Sequence, residues 1–483
     1  MEPEAAAATL TLDEVPAEET QRETPTVIKS APVQKDAARA AILTGAILPT
    51  LLQLALPTMV VLVAQTAVNV AEAYYVGFLG TDALAGVALV FPIFMLMTMM
   101  SNGGFGSGVS SSVARAVGAG RKDDADALVF HSVVLAVIVG ALFTAAAIKG
   151  GPVMYRMLGG RAEALDAALK YSNYLFAGAI PVWIVNLQAA ALRGAGNVKV
   201  PATVTLVGAL VMIPASPLLI FGLGPIQGLG IQGAGIAFAV YYCGAMLVLL
   251  RYMASGRSGL TFKIVPLQSR LFMDILKVGV PTAFNAILTN LTVILVTGAV
   301  GLFGTTALAA YGISSRLDYI MIPLLFGLST AVLTMVGVNI GAGQIARARK
   351  IAWTGGAAGM VLTGSIGIIV ALFPMLWLHL FSRDPVVLAD GATYLRIVTP
   401  AYAALGFGFV IAFAAQGAGH VFWPFVASMA RIMVAAGLGW IAVGYFGAGL
   451  AALSAMVTVS LLVYAAACAM AMIAGSVWKP DRT

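Results

Sequence analysis

Gln65, Asn69 and Glu72 stand at i, i+4 and i+7 within residues 51–80, a run that carries no other charge. A helix places all three on one face. A carboxylate in hydrocarbon costs several kcal/mol unless it is paired, hydrated or protonated. That face should therefore line a cavity, which makes Glu72 a candidate carrier of a proton or another cation. The competing reading is a buried acid satisfied by its neighbours and kept for packing.

The elements that must position this face are membrane-spanning helices. Of 483 residues, 60% are hydrophobic and 10% charged, and the mean hydropathy is +0.96. Soluble domains average about 25% charged residues. The surface itself must be apolar, so the expected fold is an all-α polytopic membrane protein. Twelve stretches are long enough to cross a bilayer, the first at 45–72, the fourth at 168–191 and the last at 449–473. β-Barrel strands would be shorter and strictly alternating.

Alternate loops carry the basic residues: Arg115, Arg121 and Lys122; Arg193 and Lys199; Arg251, Arg257, Lys263 and Arg270; Arg347, Arg349 and Lys350. The positive-inside rule then places both termini in the cytoplasm of a multi-pass protein, the setting being a bacterial inner membrane. The net charge of +7 follows from this orientation and not from nucleic-acid binding. One outer loop disagrees. Residues 149–170 carry four basic side chains, and the run from Arg161 to Lys170 reads as an interfacial helix.

The chain repeats itself. Leu56-Pro57-Thr58 returns as Val280-Pro281-Thr282, Gly118-Ala119-Gly120 as Gly341-Ala342-Gly343, and Gly194-Ala195-Gly196 as Gly417-Ala418-Gly419. The offsets stay near 220 residues, the signature of an internal duplication. Two six-helix bundles of the same orientation follow, with a site between them, as in alternating-access transporters. The expected organisation is a disordered cytoplasmic tail at 1–40, an amino lobe at 41–254, a cytoplasmic linker at 255–272, a carboxyl lobe at 273–475 and a tail at 476–483.

These motifs resemble the multidrug and toxic compound extrusion (MATE) family, and within it the bacterial DinF-like branch. The residues that carry the likeness are Leu54-Ala55-Leu56-Pro57, residues 68–77 around Glu72, residues 84–92, 114–120 and 192–196, and in the second half residues 336–344 and 416–419. The resemblance implies two pseudo-symmetric six-helix bundles forming a V-shaped cleft. It also implies export of amphipathic, often cationic, organic compounds or drugs against inward flow of protons or sodium ions. Glu72 matches the family's first-helix acid, where Asp is usual, and Pro57 the bending proline; Pro281 is its repeat. Proline removes one backbone hydrogen bond and kinks a helix, so both are candidate hinges.

The chain departs from the family in its fifth span. The family's Asn and Asp there are Met212 and Ser216, so a cation cage loses a carboxylate. Sodium wants several oxygens, whereas desolvating a carboxyl group generally favours its protonated form. Proton coupling is the first reading. In the alternative, Asn69, Gln65, Asn186 and Ser216 complete a weak sodium site with Glu72. Arg316 and Asp318 are a candidate gate or ion pair, with Arg431 a further partner for Asp318. Met95, Met99, Tyr75 and Asn290 are the candidate lining of a substrate cavity, flexible methionines suiting varied ligands. No catalytic constellation, metal cluster or cofactor motif is visible, so a transporter working as a monomer in the bilayer, without cofactor, is expected. A flippase of a lipid-linked saccharide is the other transport reading.

Overall fold

A computed structural model describes residues 33–223 and 226–478 of the chain. The amino half contains α1 (Val33–Thr44), α2 (Ile47–Gly77), α3 (Thr81–Met99), α4 (Gly106–Gly118), α5 (Lys122–Met157), α6 (Ala162–Ala177), α7 (Ala179–Gly194), α8 (Lys199–Phe221) and α9 (Ile231–Ala254). The carboxyl half contains α10 (Ser269–Gly301), α11 (Thr305–Gly341), α12 (Ile345–Leu372), α13 (Pro374–Leu378), α14 (Pro385–Val398), α15 (Tyr402–Gly417), α16 (Phe422–Ile432), α17 (Gly439–Gly444) and α18 (Leu450–Ile473). A hairpin of two-residue strands, Gly222–Leu223 with Ile226–Gln227, follows α8.

Eleven helical stretches among the described residues are long and apolar enough to cross a membrane. The pair α6–α7, bent by 48°, makes a twelfth. Backbone polar groups must be satisfied inside each span in hydrocarbon, which leaves the helix as the local solution. Side chains outside the core are accordingly apolar: Val70, Leu142, Leu210, Leu247 and Ile294 are all exposed. The fourth span of each half is broken at the corresponding point, between α6 and α7 at Gly178 and between α14 and α15 at the short 3-10 turn Thr399–Ala401. Two spans also widen into π-helix, at Met100–Phe105 between α3 and α4 and at Met433–Leu438 between α16 and α17.

Three expectations are corrected. The run from Arg161 is not a separate interfacial helix but the start of α6, and Lys170 pairs along it with Asp166 at 2.6 Å. Residues 33–40, assigned to a disordered tail, form most of α1; residues 1–32 lie outside the described residues. Of the tail after 475, Ser476–Trp478 forms a short 3-10 turn with Val477 and Trp478 buried and Arg349 over the Trp478 ring at 5.7 Å; residues 479–483 lie outside the described residues.

The two bundles meet at the end that carries the basic loops, through glycines that let backbones touch. A Cβ on Gly118 would lie 2.0 Å from the Val338 carbonyl oxygen, and one on Gly341 would lie 2.1 Å from the Arg115 carbonyl oxygen. Around them the Ser112 hydroxyl donates to the Asp274 carbonyl (2.8 Å) and Thr334 to the Arg193 carbonyl (3.1 Å), while Ser111 donates to the Gln416 carbonyl and accepts from Arg115. Helix α1 ties the same end: Arg39 donates to the Gly118 carbonyl (2.9 Å), and Arg347 and Asn339 donate to the Ile42 carbonyl. The close glycine contacts and hydrogen bonds between the bundles run from this end as far as Asn290 against Met99, with none beyond among the described residues, so the V-shaped cleft opens away from the basic loops.

A methyl group at Gly341 has no room while this seam is closed. Gly341→Ala should destabilise the closed seam by about 1–3 kcal/mol, the usual cost of overpacking, and leave the separated form unaffected. In a background with Cys243 and Cys468 replaced by Ser, a cysteine at Thr334 should then react faster with a membrane-impermeant maleimide added from the basic side. An unchanged rate would mean that the contact yields locally.

Candidate functional site

Glu72 lies near the open end of α2, 8% exposed. The Tyr171 hydroxyl, from α6, faces its carboxyl group, and Oε1 is buried without a hydrogen-bond partner. Ser216, on α8, is buried and its Oγ also lacks a partner. The Phe78 and Phe221 rings meet at the ends of α2 and α8, centroids 6.3 Å apart, so Glu72 and Ser216 sit at similar depth on neighbouring parallel helices. Asn69 is half-buried, one turn nearer the seam.

Gln65 and Asn186 belong to a second place. Gln65 is seven residues from Glu72, a rise of about 10 Å along α2. It lines a small cavity near the seam together with Asn102, Asn186, Arg193, Tyr242 and Phe326. The Asn186 amide donates to Ser101 Oγ at 2.8 Å, and Arg193 Nη2 donates to Asn102 Oδ1 at 2.9 Å. Ser101 and Asn102 both come from the π-helical turn. The five residues expected to share one ion site are thus divided: Glu72 and Ser216 toward the open end, Gln65 and Asn186 beside a guanidinium, with Asn69 between them.

Sequence reasoning missed Tyr171 and Arg193. Arg193, expected in a loop, is in the last turn of α7, 9% exposed, with its side chain inside the protein. The signal was available, because Asn186 and Arg193 are seven residues apart and share a helix face. Nothing in the spacing distinguishes Tyr171 from the other tyrosines.

The carboxyl half has its own half-buried acid, Asp318. Tyr402 Oη donates to Asp318 Oδ1 at 2.5 Å. Arg431 lies over the Tyr464 ring at 5.9 Å and acts electrostatically on Asp318, yet no ion pair between the two is formed within 4 Å among the described residues. Arg316 is exposed and faces the Phe381 ring at 5.3 Å, which corrects the expected Arg316–Asp318 pair; two residues apart on α11, they point to different sides. Met99 and Asn290 do come together across the bundles, Asn290 Nδ2 lying 3.3 Å from Met99 Sδ. Met95 and Tyr75 instead pack, partly buried, on the amino-half core. Pro57 and Pro281 sit inside continuous helices, α2 and α10.

If Tyr402 is what satisfies Asp318, Tyr402→Phe should cost about 1–3 kcal/mol of stability, the penalty of an orphaned buried polar group. Asp318→Asn combined with Tyr402→Phe should be less destabilising than the sum of the singles, measured by thermal unfolding in detergent. Additive effects would separate the two residues.

The family model MatE matches residues 57–218 and again 281–441, one copy per half. The chain is 25% identical over 389 residues to a protein of Shewanella oneidensis named FAD transporter, covering 80% of this chain and 85% of that one. It is 28% identical over 369 residues to the probable multidrug resistance protein YoeA of Bacillus subtilis, covering 74% and 78%. In structure it superposes with TM-score 0.81 on a multidrug resistance MATE family transporter in its outward-facing conformation, at 23% identity, covering 90% of this chain and 98% of that one. A duplicated family match, one copy on each of two helical bundles around a shared cleft, establishes that this chain is a multi-pass secondary transporter of the MATE family and not an enzyme.

Proposed function

We propose that the protein is a proton-coupled antiporter that exports amphipathic organic compounds, cationic ones foremost, by alternating access. The observation that carries this reading is Glu72: a buried carboxyl group on α2 that faces the Tyr171 hydroxyl and keeps Oε1 without a hydrogen-bond partner. A proton or an organic cation can neutralise that carboxylate, but not both at once, and this mutual exclusion is what exchange requires. The basic loops support a bacterial inner membrane with both termini in the cytoplasm, and on that orientation the cleft faces outward. The two lobes act as rigid bodies on either side of the 255–272 linker, with Pro57 and Pro281 as bending points and the monomer as the working unit. The names of the relatives, multidrug resistance protein and FAD transporter, agree in pointing to large organic solutes.

One observation favours sodium as the alternative ion. Glu72 Oε1 and Ser216 Oγ are two unpartnered buried oxygens at similar depth, and Asn69 is within a turn. A hard cation would add them to its ligand set.

Efflux of ethidium from proteoliposomes decides between them. A proton gradient should drive export in wild type, and Glu72→Gln should abolish it. Tyr171→Phe should leave export measurable but slower, because the carboxylate stays and only its orientation loosens. Export driven by sodium alone would replace the proton reading, and export unchanged in Glu72→Gln would remove Glu72 from the coupling step.

A further inference from the structure

The geometry points to the cavity at Arg193 as a binding subsite for the oxyanion of an amphiphilic solute, a phosphate ester or carboxylate. This deepens the transport reading above and rests on the cleft being the path of the solute. Arg193 is more than nine-tenths buried, its Nη2 is on Asn102, and its Nε is buried without a partner. Among the described residues no carboxylate stands within 4 Å of it. A guanidinium inside a membrane protein is costly when it lacks a counter-ion, and such residues generally mark a ligand or ion pathway.

The surroundings are arranged for a ligand that accepts hydrogen bonds. The π-helical turn Met100–Phe105 projects Asn102 toward Arg193 and Ser101 toward Asn186, a widened turn of the kind found at functional sites. Gln65 adds an amide from α2, and Tyr242 and Phe326 add aromatic walls. Phe326 comes from α11, so both bundles contribute to the cavity and its size must change when the lobes move. The cavity is small. It admits one anionic headgroup and leaves the organic body of the solute in the cleft. A planar guanidinium whose Nε has no partner would match the paired oxygens of such a headgroup once the lobes part and Nε is uncovered.

Flavin mononucleotide and riboflavin test this, because they differ only by a phosphate ester. Their binding to the purified full-length protein in detergent is followed by flavin fluorescence. Wild type should hold the mononucleotide about tenfold tighter or more, the scale of a charge-assisted hydrogen bond. Arg193→Gln should bring the two affinities together, and Arg193→Lys should keep part of the preference. Gln65→Glu, which places a carboxylate in the same cavity with little change of volume, should also erase it and carries the test if Arg193→Gln does not fold. Equal affinities in wild type would overturn the proposal, as would a preference that survives both Arg193→Gln and Gln65→Glu. Displacement of the mononucleotide by an equal concentration of inorganic phosphate would reduce the cavity to a simple ion site and overturn the solute subsite. The ethidium assay is separate: failure of gradient-driven efflux in wild type sinks the transport reading, whereas intact efflux without a phosphate preference sinks this inference alone.

Discussion

Backbone-to-backbone contact between the two bundles is the constraint on which the rest of this molecule depends. Gly118 against Val338 and Gly341 against Arg115 leave no space for a single methyl group. In hydrocarbon there is little hydrophobic force between helices, so association relies on close packing and on hydrogen bonds between small polar residues. The seam supplies both, with Ser111, Ser112 and Thr334 bridging glycine-lined backbones. It is also reversible in principle. Each contact is short-range and individually modest, and the interface can exist either closed or separated with little between. Helix α1, clamped by Arg39 and Arg347 across both bundles, adds to the closed state only.

Above the seam the halves repeat one device. Each has an acid facing a tyrosine of its own broken fourth span: the buried Glu72 faces Tyr171 on α6, and the half-buried Asp318 accepts a hydrogen bond from Tyr402 at the start of α15. Broken helices in a membrane are tolerated where the freed backbone faces protein or a cavity, and here the breaks aim a phenol at a carboxylate. The halves then diverge. The carboxyl-half acid has Arg431 in its field, whereas Glu72 has no cation of its own among its described partners and keeps an unpartnered oxygen. That difference makes the amino half the better place for an exchangeable charge.

The architecture was legible because hydropathy, basic-loop alternation and the 220-residue repeat are all consequences of the bilayer and of duplication. Glu72 was legible because a lone acid in an apolar run has few cheap explanations. Its partner Tyr171 was not, since a tyrosine at mid-span reads like any other aromatic until the bend at Gly178 is known. Arg193 was hidden by its position. A basic residue next to Gly-Ala-Gly looks like a loop residue, and only the length of α7, running to Gly194, turns it inward. The Arg316–Asp318 pair failed for a geometric reason that sequence does contain: residues two apart on a helix do not face each other. The π-helical turn that brings Asn102 into the cavity and Ser101 against Asn186 left no periodic signature, because a widened turn shifts the phase of a helix without changing its composition.

The placement of opposite charges along α2 constrains what can be exchanged. Glu72 and the Gln65 level of the Arg193 cavity are separated by a rise of about 10 Å. At an effective dielectric constant of about 20, unit charges at that distance interact by about 1–2 kcal/mol. A proton on Glu72 and an anion on Arg193 therefore favour one another, each removing the charge that opposes the other. Such a pair would move together, which is the sign of co-transport. A proton and an organic cation at Glu72 exclude one another, which is the sign of exchange. A solute with only an anionic group thus gains binding at Arg193 but loses the competition that drives antiport. On the proposed reading, a solute with a cationic amine at one end and an oxyanion at the other, spaced by about 10 Å, would satisfy both: the oxyanion would anchor it near the seam, and protonation of Glu72 would eject the amine. Under that proposal, linkage between the two sites, and not the shape of either alone, would set which solutes are exported and which merely bind.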